Sequence, residues 1–458
     1  MRDLFLLLIF LGYLRLALKA PFVMGLGYIW VDLFNPQGVS FGLLSGRPLS
    51  LVMGLASLLA YLVLDRRNPP RFAIGLVLLS CFAVWVTMTT TWAVVPEEAW
   101  IKWDWAIKVL IFAIFLPYII RTETQLEAML LTVIFSIGGS LMSFAVKTVV
   151  SGGGYDWSLG LSSGSTLVEG STLSATAVSL VPLILFFARD SRLLPQHWSA
   201  RLFMYGLAAA GLVTAVGSFA RTGLIALATF AGLTWLRSRR KIALAAAFGL
   251  ALAVGPQLAG ENWAARMSTI AQYDEEGSAL GRIAVWIWTL QFVAEHPLGG
   301  GFGAYRINRI DMPMGDGSGQ ILEVQAKAFH SIYFEVLGEH GVVGFALLML
   351  MLAVMFANLF RVWRSGRRQP ELRWRSRLAA ALMTSAAIYL VGGAFIGVAF
   401  QPYLYYLMDA GIVLAAMKAR RPAAPPAAAA ASRPAILDYG AMASPRRPAS
   451  RYAADAGS

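Results

Sequence analysis

Apolar residues run along this chain in long blocks and do not alternate with polar ones. Blocks near 48–64, 71–93, 103–120, 125–150, 170–188, 199–217, 222–236, 241–259, 332–362, 376–400 and 402–418 have the length and character of membrane helices. An unpaired backbone group in lipid costs several kcal/mol, so helices are the form such blocks take. Ahead of them, residues 4–34 make two shorter apolar pieces separated by Arg15, Lys19 and Pro21, either one kinked crossing or two short ones. The pattern predicts an all-α polytopic integral membrane protein with about 12 transmembrane helices.

Two stretches interrupt that pattern. Residues 199–236 would make a continuous helix of about 57 Å, nearly twice the hydrocarbon thickness, so the chain must reverse, with Gly217 and Ser218 as the breakers. The stretch 260–330 is of mixed polarity and is long enough to form one extramembrane lobe, expected to consist of short or amphipathic helices. Trp263, Trp286 and Trp288 suit an interface there. Ser278 is a candidate N-cap for a helix running to about Glu295, ended by Pro297 and the glycines that follow. On it Arg282, Trp286, Thr289 and Val293 share one face, as on a helix lying along a bilayer surface. The chain thus divides into an N-terminal membrane region 1–168, a membrane core 169–259 containing the reversal, a lobe 260–331, C-terminal membrane helices 332–420, and an Ala- and Pro-rich tail 421–458 expected to be disordered.

Composition agrees: of 458 residues 58% are hydrophobic and 14% charged, with a mean hydropathy of +0.63. The net charge of +13 would fit a nucleic-acid partner, but the basic residues occupy short loops between apolar blocks, so no nucleic acid is expected. Loops 65–71, 121, 189–201, 237–241, 361–377 and 418–451 hold 25 of the 38 Lys and Arg, and the alternate set holds 10. The richer set is cytoplasmic by the positive-inside bias, which places Arg221, the lobe and residue 330 on the opposite face. The single cysteine, Cys81, excludes an intramolecular disulfide and is expected to be packing. Zinc-ligand spacing is absent, and no cofactor is expected. The N-terminal apolar segment lacks a small-residue cleavage site and reads as a retained membrane segment.

Three residues of the outer face carry candidate chemistry. Arg221 sits at the reversal, Arg282 on the surface helix and His330 where the lobe re-enters the membrane. A guanidinium presents a planar fork of donors that matches phosphate oxygens, and two of them suit a pyrophosphate. An imidazole titrates near neutrality and can accept or hold a hydroxyl proton. Each has an ordinary reading too: an arginine snorkelling from a helix end, a solvated arginine, a capping histidine. His340 shares a helical face with His330, Tyr333 and Leu337 and would line the same cavity deeper in. Glu335 and Glu339 are read as helix-end electrostatics. The run Gly299-Gly300-Gly301-Phe302-Gly303 follows a helix, not a strand, so a dinucleotide reading is unsupported.

These residues resemble the O-antigen ligase and polymerase superfamily of bacterial envelope glycan enzymes. The likeness rests on Ser218-Phe219-Ala220-Arg221-Thr222-Gly223, on Gly281-Arg282 with Trp286 and then His296-Pro297-Leu298-Gly299, and on His330-Ser331-Ile332-Tyr333 followed by Glu339-His340-Gly341. It covers about residues 170–415, and the opening stretch around Gly27-Tyr28-Ile29-Trp30 is similar to O-glycosylation ligases associated with exosortase systems. Ser331 stands where the superfamily often has Asn after the loop histidine. The resemblance implies a GT-C-like, inverting, metal-independent glycosyltransferase in the bacterial inner membrane with its active site facing the periplasm. It would move a glycan from an undecaprenyl-pyrophosphate carrier to a hydroxyl of an acceptor protein, lipid or glycan. Arg221 and Arg282 would hold the pyrophosphate and His330 would act on the acceptor, with Trp286, Tyr333 and His340 lining the site. A polymerase of the same superfamily is the near alternative, and a polysaccharide or lipid transporter or flippase the alternative from another class.

Overall fold

The computed structural model describes the chain apart from residues 1, 43, 66–72, 152–168, 247, 250–273, 314–320 and 418–458. Trp263, the tail from residue 421 and most of the block expected as a helix near 241–259 therefore lie outside the described residues. The chain divides into two units between Met417 and Lys418, and the described fold is the first of them.

Two helices, α1 (Arg2–Ala17) and α2 (Phe22–Phe34), open the chain, separated where Lys19 and Pro21 stand. A single turn, α3 (Pro36–Val39), leads to α4 (Leu49–Val63), α5 (Ile74–Thr91), α6 (Pro96–Ile119) and α7 (Glu123–Ser151). The helix expected over 103–120 starts earlier, at Pro96, because proline suits the first helical position and Glu97 and Glu98 favour the positive end of the helix. Next come α8 (Gly170–Asp190), α9 (Trp198–Gly217) and α10 (Arg221–Arg237). Helix α8 is buried on nearly every side and packs against α9, α10 and α13 (Arg373–Gly393). Its Ser179 hydroxyl donates to the Ser385 carbonyl at 2.9 Å and lies 2.9 Å from the Tyr403 hydroxyl, so polar side chains join α8, α13 and α14 (Pro402–Ala416) inside the apolar core.

Six described helices are long and apolar enough to cross a membrane, and three shorter apolar ones, Phe22–Phe34, Leu49–Val63 and Pro402–Ala416, accompany them, against the expected 12 crossings. The chain is a multi-pass membrane protein. The expected reversal is present: α9 ends at Gly217 and α10 begins at Arg221. Cys81 is exposed on α5 and not packed inside, since its side of the helix faces outward from the bundle.

Two expectations are corrected in the lobe. The helix α11 runs Asp274–Glu295, so Ser278 lies within its second turn and does not cap it. The lobe is also not purely helical: strands β1 (Arg309–Pro313) and β2 (Ile321–Gln325) pair antiparallel, with Arg309 opposite Gln325. The shared face of α11 behaves as expected, with Thr289 and Val293 buried and Ile283, Ile287 and Leu290 exposed on the other side.

A third correction concerns the helix expected unbroken over 332–362. Helix α12 (Ile332–Arg368) is interrupted at Gly341, whose φ of 66° and ψ of −167° are not helical. Such a break frees backbone groups that lipid cannot satisfy. The glycine run after α11 supplies the partners: the N–H groups of Gly300 and Gly301 donate to the carbonyls of Gly338 and Glu339 at 3.1 and 2.8 Å. The Val342 N–H returns to the Pro297 carbonyl at 2.9 Å. The run is a plug for a broken helix.

Candidate functional site

The reversal between α9 and α10 is built from three residues. The Ser218 hydroxyl donates to the Ala215 carbonyl at 2.8 Å and accepts the Ala220 N–H at 3.2 Å, while Phe219 adopts left-handed backbone with φ 51°. Arg221 is thereby the first residue of α10, and Ala220, the residue at the N-cap, has no side chain that could cap it. A helix N-terminus together with an arginine favours an anion.

Arg282 projects half-buried from the lobe helix toward the same point. Burial first and then the Arg221 charge hold its proton affinity below the ordinary guanidinium value, with Glu169, the residue before α8, acting in the opposite sense. His330 completes the group. Burial, then Arg282, then Lys327 lower its proton affinity below the usual imidazole value, against the opposing field of Glu335. Arg221, Arg282 and His330, remote in sequence, thus share one electrostatic neighbourhood with Lys327 and Glu169.

The backbone around these residues is unusual. Four described non-glycine residues have positive φ, and three of them, Phe219, Ala326 and His330, fall two residues before Arg221, next to Lys327 and at the histidine itself. Ser331, one residue on, precedes α12 and accepts the Glu335 N–H on its carbonyl at 2.8 Å, while its hydroxyl caps nothing.

Trp286 and Tyr333 hold the frame. The Trp286 indole N–H donates to the Phe329 carbonyl at 2.8 Å, just before His330, and its ring stacks on Phe334 with centroids 5.0 Å apart. The Tyr333 hydroxyl donates to the Leu390 carbonyl at 3.2 Å, tying the start of α12 to α13. His340 lies elsewhere. It is fully buried beside the helix break, its Nδ1 2.6 Å from the Thr89 hydroxyl and its ring edge-on to Phe302 and Phe400. His330 precedes α12, so only Tyr333, Leu337 and His340 share a helical face.

Sequence reasoning missed the partners that come from distant loops. Glu335 and Glu339 are bridged by Lys102 of α6, whose Nζ lies 2.7 Å from Glu335 and 2.8 Å from Glu339. Glu335 also accepts the Ala399 N–H, and Glu339 the Gly303 N–H, each at 3.0 Å. The pair is a buried ion cluster that anchors the broken helix and is not a helix-end effect. The linear sequence offered only a lysine at the edge of the block read as 103–120, among other charged residues. Lys327 and Glu169 carried no signal in the linear pattern at all. Among the described residues no three His, Cys, Asp or Glu side chains gather as a metal would require.

Comparison with known families follows these outlines. Residues 206–349 match a family model described as O-antigen ligase. The chain carries a segment similar to O-antigen ligases. Residues 1–192 match a family of unknown function, and no curated protein matches. The ligase segment opens within α9 and closes within α12, so it contains Arg221, Arg282, Lys327 and His330. Lys102 and Glu169 belong to the other matched stretch, so both the ion cluster and the charged neighbourhood join the two.

Proposed function

We propose that this ligase-family membrane protein transfers a glycan from a polyprenyl diphosphate carrier to an acceptor hydroxyl, on the extracytoplasmic face of the bacterial inner membrane. The observation that carries this reading is the meeting of two guanidinium groups from α10 and α11 with an imidazole at the mouth of α12. In the reaction the acceptor oxygen attacks the anomeric carbon, its proton passes to His330, and the bond to the diphosphate breaks on the opposite face, inverting the centre. The leaving diphosphate gains negative charge, and Arg221 and Arg282 are the fixed cations that meet it. His330 suits the proton acceptor, because burial and then the neighbouring cations lower its proton affinity and so favour the neutral imidazole.

The carrier's tail has a suitable place beside this point. An apolar groove of about 280 Å³ between α7 and α9 is lined by Met142, Val146, Val149, Gly206 and Val213. Thr148 of the same stretch of α7 packs against Gly217, at the reversal that precedes Arg221. Covering a prenyl chain there removes apolar surface from water.

Purified protein in detergent, given a polyprenyl diphosphate glycan and candidate acceptors, is expected to form a glycosylated acceptor and free polyprenyl diphosphate. Arg282→Ala and His330→Ala are each expected to lower that rate by a factor of about 10² or more without lowering membrane abundance. Longer glycan on the same carrier would assign the polymerase activity instead. Normal transfer by both variants would remove the proposed roles.

A further inference from the structure

We propose that Lys327 is a third cation of the donor site, a diphosphate-binding residue that the Gly281-Arg282 pair is built to accommodate. This rests on the glycosyltransferase reading above and adds a residue to it.

Three independent features hold Lys327 in place. First, its main chain is clamped by Asn308, which is fully buried: the Asn308 side-chain oxygen accepts the Lys327 N–H at 3.0 Å and its amide donates to the Lys327 carbonyl at 2.7 Å. Asn308 directly precedes β1 and Lys327 follows β2, so the clamp closes the open end of the hairpin. Second, Ala326 takes left-handed backbone with φ 48°, which turns the chain as it leaves the ladder. A left-handed alanine is strained and persists only where the surroundings impose it.

Third, the lysine side chain runs over Gly281 on the lobe helix. A Cβ built on Gly281 would overlap Nζ and come within 3.0 Å of Cε. The ammonium therefore passes across the one residue of that turn with no side chain, immediately before Arg282. A glycine inside a helix is destabilising relative to alanine, so the gap has a cost that the passage of Lys327 accounts for.

The consequence is an accumulation of like charge. Arg221, Arg282 and Lys327 converge, with Glu169 as the carboxylate beside Arg282 and Glu335 already bridged to Lys102. Positive groups brought together at a half-buried site repel one another, and an arriving diphosphate relieves that repulsion. Two guanidinium forks and one compact ammonium can together reach the oxygens of both phosphorus centres.

The same placement makes a second effect measurable. Lys327 is one of the two cations that lower the proton affinity of His330, with Arg282 the other and Glu335 opposing them. Removing the Lys327 charge raises that affinity, so a base that must be neutral is lost at a higher pH.

Steady-state transfer by the full-length protein in detergent tests this with Lys327→Met, Lys327→Arg and Gly281→Ala. Lys327→Met is expected to raise the donor KM about tenfold or more and to move the acid limb of the kcat/KM profile to higher pH. Lys327→Arg is expected to restore most of both. Gly281→Ala leaves the charge intact and favours the helix, yet is expected to raise the donor KM by displacing the ammonium, with thermal stability not lowered. An unaltered donor KM and acid limb in Lys327→Met would overturn the proposal while the wild-type protein remained active. Absence of transfer by the wild-type protein itself would instead remove the function on which the proposal rests.

Discussion

His330 sits in left-handed backbone, a conformation that costs a non-glycine residue about 1–3 kcal/mol. Nothing in the packing of α12 requires a histidine there, since the helix begins only at Ile332 and its first turn is secured by the Ser331 carbonyl. The histidine at this turn is half-buried and lies within the field of Arg282 and Lys327. Arg221 follows a turn that also contains a left-handed residue, Phe219. Arg221→Lys preserves the charge but replaces a planar pair of donors by a single ammonium. It is expected to lower transfer at least about tenfold with normal membrane abundance, which steady-state assay and immunoblotting together would check. Arg221, Arg282 and His330 were legible in the sequence because each sits within a local run, at a reversal, on an amphipathic face or at a re-entry point. Lys327 was not, because its closeness to Arg282 depends on the register of a two-stranded hairpin and on one missing Cβ.

At the scale of elements, the most consequential feature is the broken α12. The break lets the first limb, Ile332 to His340, carry Glu335 and Glu339 to Lys102 while the second continues through the bundle. Gly341 holds positive φ, and a Cβ there would overlap the Pro297 carbonyl oxygen and the Leu298 carbonyl carbon. Gly341→Ala is therefore expected to destabilise the protein by more than about 2 kcal/mol, through strain and loss of the Pro297 to Val342 hydrogen bond together. A thermal unfolding midpoint in detergent unchanged from wild type would contradict this. Hydropathy revealed where α12 lies but not its break, because a single glycine in an apolar run leaves the average unaffected. The motif His296-Pro297-Leu298-Gly299-Gly300-Gly301 was visible, yet its partner, the exposed backbone of a helix 40 residues later, was not. The helices from α4 to α10, apart from the start of α6, were legible within a few residues, since long apolar blocks bounded by charges leave little freedom.

For the whole molecule, everything depends on which side of the membrane receives the site. The second limb of α12, from Val342 to Arg368, would be about 40 Å long, enough to cross a bilayer. It carries Arg361, Arg364, Arg367 and Arg368 at its far end, with Arg373, Arg375 and Arg377 just beyond. By the positive-inside bias such a cluster is expected on the cytoplasmic side, which would leave the β hairpin and His330, at the near end of the same helix, on the outer side. Single cysteines test this in a Cys81→Ser background, which is needed because the native thiol is exposed. Both Asp311 on β1 and Arg364 on α12 are exposed. Asp311→Cys is expected to react with a membrane-impermeant maleimide on intact spheroplasts, and Arg364→Cys only after lysis. The reverse pattern would put Arg282 and His330 in the cytosol, where a lipid-linked glycan already carried outward could not reach them. The pattern of basic loops is the ground for the expected sidedness, whereas the contribution of residues 1–192 was not legible in the sequence, because Lys102 and Glu169 meet the ligase-like segment only once the bundle is assembled.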